Sequence, residues 1–527
     1  MRTQKILALV LALCLAAGLT ACGGADDAGY APPAYDGSAP SDTPYAPPVA
    51  EDSGWYGCKP EIPAYDQWNS EEYAPIRENG FLSVSAAPLS TFAADVDTAS
   101  YANLRRMLLD GGTVPADAVR VEEMVNYFRY DYPEPREGEP FSVTTEVVPC
   151  PWNSGSLLFK AGLQTAQPDW ESMPPSNLVF LIDVSGSMDE ADKLPLVQQA
   201  FLLLTEHLAQ DDTISIVTYA SGDAVVLDGA RGSERARIQA AIEDLTAGGS
   251  TNGSRGIESA YRLAEAHFIP GGNNRVILAT DGDVNVGLTS EDQLKALIRE
   301  KKESGVFLSV MGFGAGNLKD SKLELLADCG NGNYAYIDSV LEAKRVLVEE
   351  MGGTLFTVAK DVKLQVEFNP ARVEAYRLVG YENRTMAAQD FADDRKDGGE
   401  VGAGHRVTVL YELVPAASAL PLKYQETPAA PSGDYLTVSV RYKAPDGAES
   451  RLLEYPVADE SWRTAPTPDT AFAACVAEFG MLLRGSDYAG SATYQQVVET
   501  LTGLPGIAGD PDRAEFLYLV QQCARRF

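Results

Sequence analysis

Five oxygen-bearing side chains in three short stretches have the types and spacing to hold an ion. DVSGSM supplies Asp183, Ser185 and Ser187 at alternate positions, GGSTNG supplies Thr251, and ATDGDVNVG supplies Asp281. Two carboxylates and three hydroxyls form a hard, all-oxygen set, suited to Mg²⁺, Mn²⁺ or Ca²⁺ and not to zinc or copper. Only two formal negative charges oppose a dication, so the ion keeps an appetite for a further anionic ligand. Mg²⁺ also prefers six near-octahedral positions, one of which a partner protein's Asp or Glu carboxylate can fill. Each stretch alone has a plainer reading, DVSGSM as a helix N-cap and GGSTNG as a loop. Their order along the chain, on the elements described next, is what points to one site.

Those elements run from Asn177 to about Gly353, where strand and helix patterns alternate. LVFLID, TISIVTY, AVVLD, RVILATD, VFLSVMGFG and NYAYID read as strands. Stretches such as LPLVQQAFLLLTEHL and SEDQLKALIREKKES read as helices between them. Continuous apolar strands with helical crossovers predict an α/β fold, a doubly wound, mostly parallel sheet covered on both faces. TISIVTY and AVVLD are too close for such a crossover, so AVVLD is expected as an antiparallel edge strand. In an open sheet of this kind ligands bind beyond the carboxyl ends of the strands. LVFLID ends in Asp183 and RVILATD in Asp281.

The pattern of DxSxS, a distant Thr and a later TDG aspartate resembles the metal-ion-dependent adhesion site of a von Willebrand factor A domain. The resemblance implies direct ligation by Ser185, Ser187 and Thr251, with Asp183 and Asp281 acting directly or through water. More of the chain is similar to a narrower family, bacterial surface lipoproteins with such a domain, often labelled calcium-activated chloride-channel-like. TFAADVDTASYANLRRML and RVEEMVNYFRYDYPEP resemble its N-terminal module, LVGYENR and GGEVGAGHRVTVLYELVP its later β region, and FGMLLRGS and AEFLYLV its terminal segment. What the resemblance implies is a cell-surface protein that binds a partner through the cation.

The rest of the chain supports that setting. Arg2 and Lys5 precede the apolar run ILALVLALCLAAGL, too short to span a bilayer comfortably and followed by LTAC, which resembles a lipobox. Residues 1–21 are thus expected to be a signal peptide and Cys22 the lipidated residue, anchoring the protein outside the cytoplasm on the bacterial envelope. No other stretch has the ~20 apolar residues of a transmembrane helix. Residues 22–58, rich in Pro, Tyr, Ala and Gly with YAPP twice, read as a tether. A helical module over 59–137 follows, then strands over 138–172 expected to join a later β domain. The α/β domain spans 173–353, β-sandwich-like segments 354–460 and a helical segment 461–527, so the sheet domain reads as an insertion between or beside β-sandwich segments. Phe472, Cys475, Val476, Phe479 and Leu482 share one helical face, as do Phe516, Val520 and Cys523, so these cysteines are expected in a core.

Composition removes several functions. A formal net charge of −33 opposes a nucleic-acid surface, which needs basic patches. Cys58, Cys150, Cys329, Cys475 and Cys523 are odd in number and lack metal-ligand spacing. Neither HExxH, a nucleophile elbow nor a P-loop is present, so an enzyme is not expected, although a hydroxyl-rich Mg²⁺ site can in principle assist hydrolysis. The remaining alternative is an envelope scaffold in which the metal is structural. DVDTAS, Asp95 to Ser100, is read as a cap for the helix beginning near Tyr101 rather than a second metal site, and QDFADDRKDGGE as a solvated acidic loop. Replacing Cys22 by Ser is expected to release mature protein from the membrane fraction or leave it uncleaved. Processed, membrane-bound Cys22→Ser protein in a fractionation would place the anchor elsewhere.

Overall fold

A run as apolar as LVFLID must be covered on both sides, and the computed structural model places it inside a six-stranded sheet. The structure describes residues 70–526 except 168–172, 250–253, 283–290, 351–352, 354–355, 397, 417–432, 446 and 448, all within the unit Pro63–Phe527. Cys22, Cys58, Thr251 and the tether lie outside the described residues. In chain order, β1 (Leu82–Ser83) and β2 (Leu89–Ala93) precede the helices Ala99–Leu109 and Val121–Tyr127. Then come β3 (Phe141–Pro149) and β4 (Leu157–Thr165). The middle sheet is built from β5 (Ser176–Asp183), β6 (Thr213–Tyr219), β7 (Asp223–Arg231), β8 (Asn273–Thr280), β9 (Phe307–Phe313) and β10 (Tyr334–Ile337). After it come β11 (Thr357–Phe368), β12 (Val373–Val379), β13 (Thr385–Met386), β14 (Gly399–Gly402), β15 (Arg406–Pro415), β16 (Leu436–Lys443) and β17 (Ser450–Val457).

The middle sheet has the order β10-β9-β8-β5-β6-β7. Every pairing is parallel except β6 with β7, so the expected antiparallel edge strand is present. Alternate side chains of β5 feed two cores, because successive strand residues point to opposite faces. Leu178, Phe180 and Ile182 pack with Val197, Phe201 and Leu204 of the helix Leu194–Thr205. Val179 and Leu181 pack with Ile257, Tyr261 and Ala264 of the helix Ser254–Ala266. Each fully buried chain of this size contributes about 1.5–3 kcal/mol relative to exposure.

The flanking strands form two further sheets, β1-β12-β15-β4-β3 and β13-β2-β11-β16-β17, with β14 paired to β11. Phe159, Val409 and Tyr411 from the first share a core with Phe92, Leu364 and Val438 from the second, which makes a sandwich. Because β4, before the middle sheet, pairs with β15, after it, the α/β domain is an insertion in that sandwich. Helices from both ends of the chain share one core. Tyr101, Met124 and Phe128 pack with Phe472, Phe479, Phe516 and the thiols of Cys475 and Cys523.

DVDTAS does not cap its helix. The helix begins at Ala99, the Thr98 side chain makes no capping bond, and it is Glu123 from the next helix that accepts the Ser100 N–H at 2.8 Å. Asp95 and Asp97 are buried instead between three segments, where a carboxylate needs a cation. Arg384, between β12 and β13, supplies it. Its guanidinium donates to Asp95 at 2.9 Å, Asp97 at 3.2 Å, Glu324 at 3.1 Å and Asp328 at 2.6 Å. Glu324 and Asp328 belong to the helix Asp320–Cys329 of the inserted domain, and Asp97 also accepts the Tyr334 N–H of β10 at 2.9 Å. Asp95, Asp97 and Glu324 bring three carboxylate oxygens within 4.8 Å of one another, and the guanidinium is their shared counter-charge. In QDFADDRKDGGE, Asp393 pairs with Arg395 at 2.8 Å, and Asp394 with Arg441 at 3.4 Å, both at the exposed surface.

Burial raises the pKa of Asp97 well above the usual carboxylate range and that of Glu324 above it, with Arg384 pulling both back. A carboxyl raised on folding lends stability below its unfolded pKa and loses it as pH rises through the folded value. Arg384→Met removes the shared cation from a buried set and is expected to cost about 3–5 kcal/mol. The deficit in the urea midpoint should narrow as pH falls from 8 to 5. A deficit of constant size across that range would mean the guanidinium serves by packing and not by charge.

Candidate metal centre

Parallel pairing of β5 with β8 brings the two strand-end aspartates to one edge. The register sets Ile182 opposite Ala279, so Asp183 ends β5 beside Thr280, and Asp281 follows directly. Both carboxylates have no exposed surface. Asp183 Oδ1 accepts the Ser185 N–H at 2.9 Å, and Asp183 Oδ2 accepts the Thr280 hydroxyl at 3.3 Å. The first bond folds the chain back over the strand end into the short turn Gly186–Met188. That turn brings the Ser185 and Ser187 hydroxyl oxygens to 3.0 Å from each other, Ser185 buried and Ser187 exposed.

The second loop is fastened to this turn from both sides. Gly248 N–H donates to Val184 O at 2.8 Å, and Gly186 N–H donates to Gly249 O at 3.0 Å. Thr251, two residues further on, lies outside the described residues, as do residues 283–290 of the third loop. After Asp281 the chain needs a glycine. Gly282 sits at φ +113°, and a Cβ there would lie 2.7 Å from Leu318 Cα. The structure therefore brings together Asp183, Ser185, Ser187 and Asp281 at the carboxyl edge of the sheet.

One residue of this centre escaped the sequence reading. Lys193 ends the acidic run DEADK, its side chain 5% exposed, and its ammonium donates to Asp281 Oδ2 at 3.2 Å and Ser187 O at 2.9 Å. The only signal available was a single base closing four residues of acid and alanine. Asp281 Oδ1 is buried and has no hydrogen-bond partner among the described residues. An orphaned carboxylate oxygen is costly unless something binds it. Burial pushes the Asp183 carboxyl up to about 6, against the pull of its Ser185 bonds, and the charge of Asp281 adds to the rise. Hard oxygens, an unsatisfied carboxylate and two convergent hydroxyls fit a divalent cation. Asp183, Asp281, Ser185 and Ser187 are the described residues that would hold it.

Two of the three imidazoles are committed to other contacts. His405 is buried, accepts the Gly402 N–H at 3.3 Å, and is held down to about 4 by burial and neighbouring arginines. His267 pairs with Asp228 at 2.6 Å. Among the described residues no helix is long and apolar enough to cross a membrane.

Three family models match the chain: von Willebrand factor over residues 67–160, von Willebrand factor type A domain over 177–349, and the C-terminal part of the uncharacterized protein YfbK over 353–525. The inserted domain thus has the von Willebrand factor A type of α/β fold. The Escherichia coli protein named Uncharacterized protein YfbK is 42% identical over 463 residues, covering 85% of this chain and 80% of that protein. Inter-alpha-trypsin inhibitor heavy chain H3 of Mesocricetus auratus is 29% identical over 161 residues, which is 29% of this chain and 18% of that one. A solved von Willebrand factor type A protein from Catenulispora acidiphila is 16% identical with a TM-score of 0.40, covering 71% of this chain and 88% of that chain.

A ligand that binds only the folded state stabilises it by RT ln(1 + [L]/Kd), roughly 2.7 kcal/mol at a hundredfold excess over Kd. Mg²⁺ is accordingly expected to raise the thermal midpoint of the purified chain and to leave that of Asp183→Ala unmoved. Equal shifts in both proteins would assign the stabilising ion to another place.

Proposed function

The chain belongs to the family of the Escherichia coli protein YfbK, and from that premise we propose that it is a binding protein and not an enzyme. It captures a partner protein at the carboxyl edge of the inserted sheet, through a divalent cation held by Asp183, Ser185, Ser187, Thr251 and Asp281. The five residues act as a metal-ion-dependent adhesion site, with Mg²⁺ or Mn²⁺ as the cation and an Asp or Glu of the partner completing its coordination. Cys22 carries the lipid that fixes the protein to the outer side of a bacterial membrane.

The observation that carries this reading is Asp281 Oδ1, buried and without a hydrogen-bond partner among the described residues, at the same sheet edge as the paired Ser185 and Ser187 hydroxyls. Charge favours an anionic partner group. Two carboxylates only balance the dication, and the three hydroxyls are neutral, so the ion still favours an anionic further ligand. The chain's overall negative charge gives an acidic partner no long-range attraction, so recognition is local to the ion. The relatives with a von Willebrand factor type A domain agree with a protein-interaction role.

Partner capture from the native envelope is the test, using the full chain and its Thr251→Ala variant with Mg²⁺ or with EDTA. Capture is expected only by the wild type with Mg²⁺, and to be lost when one Asp or Glu of the captured partner is changed to its amide. If both proteins hold the same partner equally in EDTA, the cation is structural and the molecule is an assembly scaffold.

A further inference from the structure

Lys193 stands where helix chemistry disfavours it. It is the N-cap of the helix Leu194–Thr205 and makes no side-chain capping bond. Ser, Thr, Asp or Asn is preferred there, and a cation at the positive end of the helix dipole is repelled. The surroundings are nonetheless shaped for it. Gly314, in the loop after β9, sits at φ +72°, and a Cβ there would lie 2.4 Å from Lys193 Cγ, so the glycine opens the path taken by the lysine stem. Beside it, Asp192 accepts the Ala315 N–H at 3.2 Å, which ties the same loop to the residue before the lysine. At the end of that path the ammonium reaches Asp281 Oδ2 and the Ser187 carbonyl.

Resting on the metal-centre reading above, we infer that Lys193 sets the affinity of the cation site, as an internal cation that competes with the dication for Asp281. The ammonium neutralises one of the two carboxylates, so an entering ion meets one net negative charge in place of two. A like charge beside a buried ion is felt strongly, because the medium there screens poorly. Cation binding is thereby held weak and coupled to withdrawal of Lys193 from Asp281 Oδ2.

The experiment compares Mn²⁺ binding by the full-length wild type with that of Lys193→Met and Lys193→Arg, following free Mn²⁺ by electron paramagnetic resonance. Methionine keeps the unbranched stem that packs on Gly314 and deletes the charge; arginine keeps the charge. Lys193→Met is expected to bind Mn²⁺ roughly tenfold tighter or more, and to show the larger rise in thermal midpoint with Mn²⁺. Lys193→Arg should stay near the wild type. Circular dichroism of the metal-free proteins checks that each variant is folded, and Lys193→Gln serves if methionine does not fold. A folded charge-deleted variant that binds Mn²⁺ no tighter than the wild type would overturn the inference. Loss of Mn²⁺ binding in all the proteins, the wild type included, would instead overturn the metal-centre reading, and this inference with it.

Discussion

Two carboxylates buried at neighbouring strand ends set the terms for everything around them. Parallel pairing fixes Asp183 and Asp281 side by side, and low dielectric makes their repulsion expensive. The local structure answers that repulsion piece by piece. The Ser185 N–H and the Thr280 hydroxyl bond Asp183, and the Lys193 ammonium bonds one oxygen of Asp281. One oxygen of Asp281 is left without a partner among the described residues. A buried carboxylate oxygen left in that state is costly unless something binds it.

The same problem of buried charge recurs where the inserted domain meets the rest of the molecule. Arg384 gathers four carboxylates, two from the inserted domain's helix and two from the segment ahead of the first helix. Nearby, Arg120 pairs with Asp320 and Glu123, and Arg105 pairs with Glu342 at 2.8 Å. Each of these ion pairs joins residues far apart in the chain, apart from Arg120 with Glu123. Removing one partner from such a set costs far more than the intact set contributes. They therefore specify how the domain is seated more than they stabilise it.

Much of this was legible in the sequence. Apolar strands alternating with amphipathic helices gave away the parallel sheet, and the short TISIVTY–AVVLD gap gave away its antiparallel edge. Asp183 and Asp281 could be placed because a strand's last residue is readable from its apolar run. Lys193 could not, since its role depends on Gly314 passing over its stem, more than a hundred residues later. DVDTAS misled for a related reason. Local propensity favours a cap, but Arg384 lies in a segment whose approach no local pattern encodes. Hydrophobic period reports the neighbours of a strand or helix; it is silent on which distant charge will be buried against it.

The insertion has a further consequence for how the chain can be made. Leu82 pairs with Tyr376 and Ser83 with Ala375, while the helix at Ala99–Leu109 shares its core with Phe472 and Phe516. During synthesis from the N-terminus, β1 and β2 have no strand partners, and the helix Ala99–Leu109 lacks Phe472 and Phe516, until the last third of the chain has emerged. The inserted sheet, by contrast, draws all six strands from one continuous stretch and can close early. Contacts of such sequence separation slow folding and leave edges exposed meanwhile. Assembly is thus ordered in time, with the inserted domain first and the frame that seats it last.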